Sequence, residues 1–207
     1  MGDNLVGSIE RAASSLGVAL DPAVTSAAGV WLERLTEWNA RTDLTAARSH
    51  DHLVDLMLAD ALVLSRVVPS GARVVDVGTG AGAPGLALAL LRPDLRLTLV
   101  EPLRKRASFL RTVIGLLGRM DVHIEPTRAE VLAGRLASDV AVSRATFPPA
   151  EWLALGARLV GPGGSVWALL AREDPPVREG AAVEEDVAYA WPLTGVPRRA
   201  VRYRLAV

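Results

Sequence analysis

The sequence predicts a doubly wound α/β fold, a mostly parallel sheet of seven strands with helices on both faces. Three observations predict it. Short β-branched runs alternate with helical stretches from Ala72 onward, a glycine-rich loop follows the first of these strands, and the first seventy residues have helical periodicity. Alternating β and α units of this size build a parallel sheet, because each connecting helix packs against the strands that it joins.

The leading segment, residues 1–70, is predicted to be a helical cap on a domain of residues 71–207. Apolar residues recur at steps of four, three, four and three, which places them on one helix face. They are Val24, Ala28, Trp31, Leu35 and Trp38. Asp21-Pro22 before them supplies an N-cap and a first-turn proline. The apolar stretch 53–68 is helical by its length, and Pro69-Ser70-Gly71 ends it.

The later segments alternate in type. Strands are expected over 73–77, 95–100, 121–125, 140–143 and 165–170, and helices over 86–91, 104–117 and 152–159, with a short helical piece from Arg128. The Gly-Pro-Gly-Gly run at 161–164 is predicted to be a turn. The last two segments, Ala182 to Trp191 and Val201 to Val207, are predicted to be an antiparallel pair of strands.

Composition excludes several classes of site. The chain has no cysteine, which excludes a disulfide framework, a thiolate zinc site and a cysteine nucleophile. Its three histidines lack metal-ligand spacing, so we expect no metal. No apolar run approaches the length of about twenty residues that a membrane helix needs, and the start lacks a secretory pattern. We therefore expect a cytoplasmic protein with no membrane partner, and a monomer. Its 23 basic and 23 acidic residues balance, which by itself does not favour nucleic-acid binding.

The glycine loop runs from Asp76 to Gly85, where a strand turns into a helix, and this is where doubly wound sheets bind cofactors. Its spacing alone would also suit a dinucleotide. Two residues favour another ligand. A carboxylate at Asp76 would repel a pyrophosphate but suits a cation, and Pro84 removes an N–H group that a phosphate would use. S-adenosylmethionine has no phosphate and carries a sulfonium and an ammonium group. Glu101, which ends the second strand, is the expected acceptor for the ribose hydroxyls. The alternative is a glycine turn required only for packing.

Four segments extend this pattern. They are Trp38-Asn39 with Leu44-Thr45-Ala46, the loop 76–85, Arg104-Lys105-Arg106 with Phe109-Leu110-Arg111, and Ser143-Arg144-Ala145. Because these segments occur in this order, the chain resembles the bacterial small-subunit ribosomal RNA guanine-N7 methyltransferases (the RsmG or GidB family). The resemblance spans nearly the whole chain. It implies a Rossmann-like, class I S-adenosylmethionine-dependent methyltransferase that acts on 16S ribosomal RNA or the 30S subunit.

The resemblance also implies roles for single residues. Those at the cofactor would be Asp76, Gly78, Thr79, Gly80, Gly82, Pro84, Gly85, Glu101 and Pro102, with Arg128, Ala129 and Glu130 beside the adenine. Arg144 would face the methyl donor and position the target base. Residues expected to contact RNA are Arg41, Arg48, Arg104, Lys105, Arg106, Arg198 and Arg199. For residues 104–106, the alternative to RNA contact is that the three cations only form the solvated face of a helix.

Three departures from the family pattern lie on the substrate side. Met57-Leu58-Ala59-Asp60-Ala61 replaces the usual His-Ile-Leu-Asp-Ser of the family. Leu170-Ala171-Arg172 replaces a lysine-glycine pair, and Asp43 replaces an asparagine. They leave two alternatives open: a methyltransferase of the same fold that acts on a small molecule or a protein, and a non-catalytic relative that only binds the cofactor. A dehydrogenase is disfavoured by Asp76 and Pro84. Guanine N7 carries a lone pair and no proton, so its methylation needs alignment rather than a general base.

Overall fold

The computed structural model describes residues 2–205. The helical leader contains α1 (Gly2–Ser15), α2 (Pro22–Thr42), α3 (His50–Val54), a π-helical segment (Asp55–Ala59) and α4 (Asp60–Leu64). The alternating region contains β1 (Arg73–Val77), α5 (Gly85–Leu91), β2 (Arg96–Val100), α6 (Arg104–Leu116), β3 (His123–Glu125), α7 (Ala129–Leu132), β4 (Ser138–Arg144), α8 (Pro149–Gly156) and β5 (Val160–Leu170). The described chain ends with β6 (Ala181–Ala190) and β7 (Pro197–Leu205). None of the helices within 2–205 has the length and hydropathy needed to span a bilayer.

The seven strands form one sheet in the order β3-β2-β1-β4-β5-β7-β6. Strands β1 to β5 pair in parallel, and β7 pairs antiparallel with both β5 and β6. The predicted sheet and its terminal antiparallel pair are therefore confirmed. The order reverses between β1 and β4, so their carboxyl ends flank the crevice in which such sheets bind ligands. The last two residues of the final predicted strand, 206 and 207, lie outside the described residues.

The predicted turn at 161–164 was wrong, because this segment lies within β5. Pairing with β4 continues on both sides of it, and the register jumps from Ser138–Val160 to Val140–Ser165. The glycines therefore let the strand bulge and resume instead of ending it. Gly163 has φ +74°, a conformation that glycine adopts without strain. A strand that contains a glycine-rich bulge has the same sequence pattern as a turn followed by a shorter strand.

Helix α2 joins the leader to the sheet. It begins as predicted, with Asp21 accepting a hydrogen bond from Ala23 N at 2.7 Å and Pro22 in the first turn. Trp31 is fully buried, and its indole N–H donates to the carbonyl of Ala81 in the glycine loop at 3.0 Å. Apolar residues of the leader and of the sheet form a single core cluster. The leader thus packs directly on the loop that follows β1.

The stretch 53–68 is helical over most of its length, as predicted, but it contains a π turn that the sequence did not reveal. Asp55 and Asp60 are both buried in it. Two residues five apart lie on different sides of an α-helix, which turns about 100° per residue. The extra residue of a π turn brings them closer to one face, and such turns are frequent at functional sites.

We expect Trp31→Phe to lower the free energy of unfolding by about 1–3 kcal/mol, because the buried carbonyl of Ala81 then lacks its donor. Chemical denaturation measures this change. Trp38→Phe, a matched substitution further along α2 where the ring edge meets Phe109, serves as the control. Equal stability of Trp31→Phe and the wild type would show that the leader does not hold the loop through this bond.

Candidate active site at the carboxyl edge of the sheet

The glycine loop folds back over the end of β2. Gly78 and Thr79 donate backbone hydrogen bonds to Val100 O at 2.9 and 3.3 Å. Gly78 and Gly80 have φ values of +71° and +60°, which glycine adopts without strain. A Cβ on Gly78 would also overlap the side chain of Thr146, whereas one on Gly80 would meet only Gly78 O, at an ordinary contact distance of 3.9 Å. The loop therefore presents bare backbone at Gly80, where a ligand can approach closely.

Gly82 and Gly85, both predicted at the cofactor, are enclosed by packing in the structure. A Cβ on Gly82 would lie 2.9 Å from Leu86 Cβ and 3.0 Å from Trp31 Cζ2. One on Gly85 would lie 2.6 Å from Asp76 Oδ2. Pro84 precedes α5 at its N-cap position after a cis peptide bond. These residues shape the loop from behind, and their contact with a cofactor stays a prediction.

Asp76 is a buried carboxylate with an unsatisfied oxygen. Its Oδ2 accepts a hydrogen bond from Gly85 N at 2.7 Å, while Oδ1 finds no partner among the described residues. The buried hydroxyl of Thr79 lies close by. Burial raises the pKa of Asp76 to about 6. A buried anion with a free oxygen is costly alone and fits a cationic ligand group such as an ammonium.

Glu101 ends β2 beside the same loop. It is 2 % exposed, and its Oε2 accepts a hydrogen bond from Gly80 N at 3.0 Å while Oε1 accepts one from Leu103 N at 2.8 Å. Each carboxylate oxygen has further lone pairs, so the group can also accept hydroxyl donors. The structure thus brings the two predicted acids to one loop. Pro102 follows Glu101 and is exposed.

The predicted adenine-side residues lie at the start of α7, after β3. Arg128 occupies the N-cap position, and both Arg128 and Glu130 are exposed. Ala129 is buried against the apolar cluster that contains Val77 and Val100, the last residues of β1 and β2. The segment therefore lies near the strand ends that carry the loop and Glu101.

Arg144, the last residue of β4, is held by a partner that sequence analysis missed. Its Nη1 donates to Asp60 Oδ2 at 2.9 Å and also to the carbonyl of Leu56. The other oxygen, Asp60 Oδ1, accepts hydrogen bonds from Tyr189 Oη at 2.7 Å and Trp191 Nε1 at 3.1 Å. Asp60 is 2 % exposed. The available signal was the presence of acidic residues, Asp55 and Asp60, in a mainly apolar helical stretch, where a buried charge needs partners.

Asp55 anchors the connection between β6 and β7 to the π turn. The carboxylate is fully buried and accepts hydrogen bonds from Leu193 N at 3.2 Å and from Thr194 N and Oγ1 at 2.8 and 2.7 Å. Together with Asp60, it ties the tip of the terminal hairpin to the leader. The hairpin therefore stands beside Arg144.

A cavity of about 150 Å³ opens where these parts meet. Asp60 and Arg144 lie at one side of it, and Trp191, Arg198 and Glu173 also line it. Its apolar residues include Phe147 and Trp152, whose rings stack with centroids 6.4 Å apart. The cavity is lined by the carboxyl ends of β4 and β5, adjacent to the end of β1. It is thus a pocket of mixed apolar and charged character at the end of β4, the strand that pairs with β1.

The predicted RNA-contacting cations differ in availability. Arg41, Arg48, Arg104 and Lys105 are exposed, and Arg106 is half-buried with Nη1 4.0 Å from Glu101 Oε2. The two arginines predicted to contact RNA from β7 have different surroundings. The guanidinium of Arg198 lies 3.9 Å from the ring centroid of Trp191 at the cavity, while Arg199 Nε donates to Asp186 Oδ1 at 2.6 Å.

Two departures on the substrate side have local explanations. Asp43 has φ +49° at the C-cap of α2, a left-handed conformation that asparagine and aspartate both tolerate. Asn39, four residues before Asp43, shapes the following loop by accepting hydrogen bonds from Leu44 N and Thr45 N at 2.6 and 2.8 Å. Met57, where the resemblance led us to expect histidine, is buried in the core of the leader. Neither change removes a group from the glycine loop.

Comparison with known proteins identifies the family. The profile described as rRNA small subunit methyltransferase G matches residues 25–181. A protein of Anaeromyxobacter dehalogenans named ribosomal RNA small subunit methyltransferase G is 32% identical over 206 residues, which cover 95% of each chain. The chain belongs to the rRNA small subunit methyltransferase G family.

Two further similarities agree with this membership. A protein of the same name from Xanthomonas axonopodis pv. citri is 38% identical over 151 residues, 73% of this chain and 71% of the relative. Among solved structures, an O-methyltransferase from Bacillus cereus in complex with SAH aligns with TM-score 0.60 at 14% identity, over 85% of this chain and 90% of the other. At that identity the structural match shows the shared fold, which is that of class I methyltransferases.

Because burial raises the pKa of Asp76 to about 6, we expect the affinity for S-adenosylhomocysteine to depend on pH. Above this value the carboxylate is ionised and attracts the ligand ammonium. Below it, protonation removes the attraction, and affinity should fall by up to about tenfold per pH unit. Calorimetric titration between pH 5 and 8 measures this. Asp76→Asn should bind weakly at every pH, and a wild-type affinity that is equally flat would contradict the assignment.

Proposed function

We propose that this protein is an S-adenosylmethionine-dependent methyltransferase that methylates N7 of a guanine in 16S ribosomal RNA, in the cytoplasm. The observation that carries the proposal is that Asp76, Gly80 and Glu101 lie at the ends of β1 and β2, while the adjoining strand β4 ends at Arg144 in the cavity, in a chain of this family. In this proposal the protein acts as a monomer. In the same proposal, residues 1–70 form a cap on a methyltransferase domain of residues 71–207.

The loop residues fit the cofactor by their chemistry. Asp76 has a buried oxygen available for an ammonium, and Glu101 can accept hydroxyl donors while it holds Gly80. When bound, S-adenosylmethionine supplies an electrophilic methyl group on a sulfonium sulfur. The role of the protein residues is to fix the loop and to keep the site in one geometry, since alignment supplies much of the rate in a displacement of this kind.

Arg144 is suited to hold a base close to a cationic methyl donor. A free guanidinium there would repel the sulfonium, but its charge is paired with the buried Asp60. Nη1 is occupied by Asp60 and by the carbonyl of Leu56, which fixes the plane of the group. The remaining N–H groups can donate to guanine O6, the acceptor next to N7. N7 attacks with its own lone pair, and no residue needs to remove a proton.

The exposed cations supply the proposed contacts with the RNA backbone. Arg104 and Lys105 begin α6 directly after β2, so they lie on the same edge of the sheet as the glycine loop. Arg198 lies at the cavity. Arg41 and Arg48 on the leader complete the proposed set, and Arg106 and Arg199 add to it while already near Glu101 and Asp186. A local set of cations suffices for this despite the balanced total charge, because exposed charges beyond about 8–10 Å are largely screened at physiological salt.

We expect the purified protein to transfer labelled methyl groups to isolated 30S subunits or to 16S ribosomal RNA, at guanine N7. Arg144→Lys keeps a positive charge for Asp60 but loses the planar set of donors, so kcat/KM should fall about 10–100-fold. Calorimetry should show unchanged affinity for S-adenosylhomocysteine. Arg158→Lys, on the opposite edge before β5, is the matched control. Methyl label that enters only the protein or metabolite fractions would contradict the proposal.

We also expect the Arg104→Gln/Lys105→Gln double variant to bind RNA with a weaker salt dependence. Loss of two phosphate contacts should reduce the slope of log affinity against log salt by about 1.4–1.8. Arg135→Gln/Arg158→Gln removes the same number of exposed cations from the opposite edge and should leave the slope unchanged. Binding measured from low to physiological salt decides, and equal slopes in the two double variants would exclude these phosphate contacts.

A further inference from the structure

Methylation at N7 limits how the target base can be recognised. N7 must face the methyl group, so of the major-groove acceptors only O6 remains available for a donor. The other distinguishing edge of guanine is its Watson–Crick edge, where N1–H and the N2 amino group are both donors. A base that has left its stack is commonly read on this edge. Recognition of two adjacent donors requires an acceptor, and a carboxylate is the strongest that a side chain offers.

Among the described residues, two carboxylates line the cavity, and only Glu173 has an oxygen that accepts no hydrogen bond. Asp60 is buried and accepts three hydrogen bonds, from Arg144, Tyr189 and Trp191. Glu173 accepts hydrogen bonds from Ala171 N and Arg172 N at 2.9 and 3.0 Å, and both of these bonds go to Oε2. This leaves Oε1 for a ligand while the two backbone bonds fix the carboxylate.

The position of Glu173 suits a base held by Arg144. In the sheet, Arg144 at the end of β4 is paired with Leu169 of β5, and Glu173 follows four residues later. Both side chains line the same cavity, together with apolar residues that include Leu170 and Phe147. A donor for O6 and an acceptor for the Watson–Crick edge are thus offered by neighbouring strand ends around one pocket.

We propose that Glu173 is the specificity-determining residue of this cavity, accepting hydrogen bonds from N1–H and the N2 amino group of the target guanine. This inference rests on the proposed function. The backbone N–H groups of Glu173 itself, Ala171 and Arg172 lower the pKa of this carboxyl, which keeps it ionised near neutral pH.

An ionised acceptor also favours the reaction. The N7 lone pair forms the new bond to carbon, the carbon–sulfur bond breaks with its electron pair remaining on sulfur, and the positive charge passes to the purine ring. The N1–H and N2 amino donors become more acidic as this charge develops. Their hydrogen bonds to Glu173 therefore strengthen in the transition state, which lowers the barrier as well as selecting the base.

The binding experiment compares GMP, IMP and AMP on the protein saturated with S-adenosylhomocysteine. IMP lacks only the N2 amino group, and we expect the wild type to bind GMP about tenfold more tightly. In Glu173→Gln the amide oxygen can keep the backbone bonds, but its NH₂ then meets two donors. GMP affinity should fall about tenfold, the preference over IMP should disappear, and AMP should gain relative to GMP. Asp174→Asn, a neighbouring carboxylate that does not line the cavity, should behave as the wild type.

The kinetic experiment measures methyl transfer to 30S subunits. Glu173→Gln should lower kcat more than it changes KM, with unchanged affinity for S-adenosylhomocysteine. GMP that does not bind, equal binding of GMP and IMP by the wild type, or a preference that survives in Glu173→Gln would each overturn the inference. Failure of the proposed function is distinguishable, because it would show as absent methyl transfer by the wild type whatever the nucleotide preference.

Discussion

The hydrogen-bonded ion pair between the buried carboxylate of Asp60 and Arg144 is the interaction on which the site depends. The carboxylate accepts hydrogen bonds from Arg144, Tyr189 and Trp191, which are 84, 129 and 131 residues away in the chain. Removing an ion pair from water costs several kcal/mol per ion, and only complete hydrogen bonding offsets that cost. The leader, the end of β4 and the terminal hairpin are therefore positioned together, and the cavity exists only where all three meet.

The leader is part of the site rather than an appendage to it. Trp31 holds the glycine loop from behind through Ala81, and Gly82 leaves room for its ring. Asp55 begins the π turn and Asp60 follows it directly, so the two carboxylates reach the hairpin and Arg144. Because the leader and the sheet share one apolar core, the glycine loop and the cavity rest on the same packing.

The arginine-rich last strand explains how a chain of balanced charge can still present a basic surface elsewhere. On β7, Arg202 lies 3.5 Å from both Glu184 and Glu185, and Arg204 pairs with Glu184. These pairs place charges along the edge strand β6, which discourages pairing with another sheet edge. The acids of β6 thus neutralise cations of the hairpin, while exposed cations near the glycine loop, such as Arg104 and Lys105, are available for a polyanion.

Local patterns in the sequence determined the order of elements, the α2 stripe with its Asp21 cap, and the loop with Asp76 and Glu101 at adjacent strand ends. Periodicity and turn chemistry act between neighbours in the chain, so they can be read without a structure. The bulge in β5, the π turn, and the pairing of Asp60 with Arg144 were decided only by the tertiary structure. Each depends on groups far apart in sequence, because a buried charge or a shifted strand register is set by what surrounds it in space.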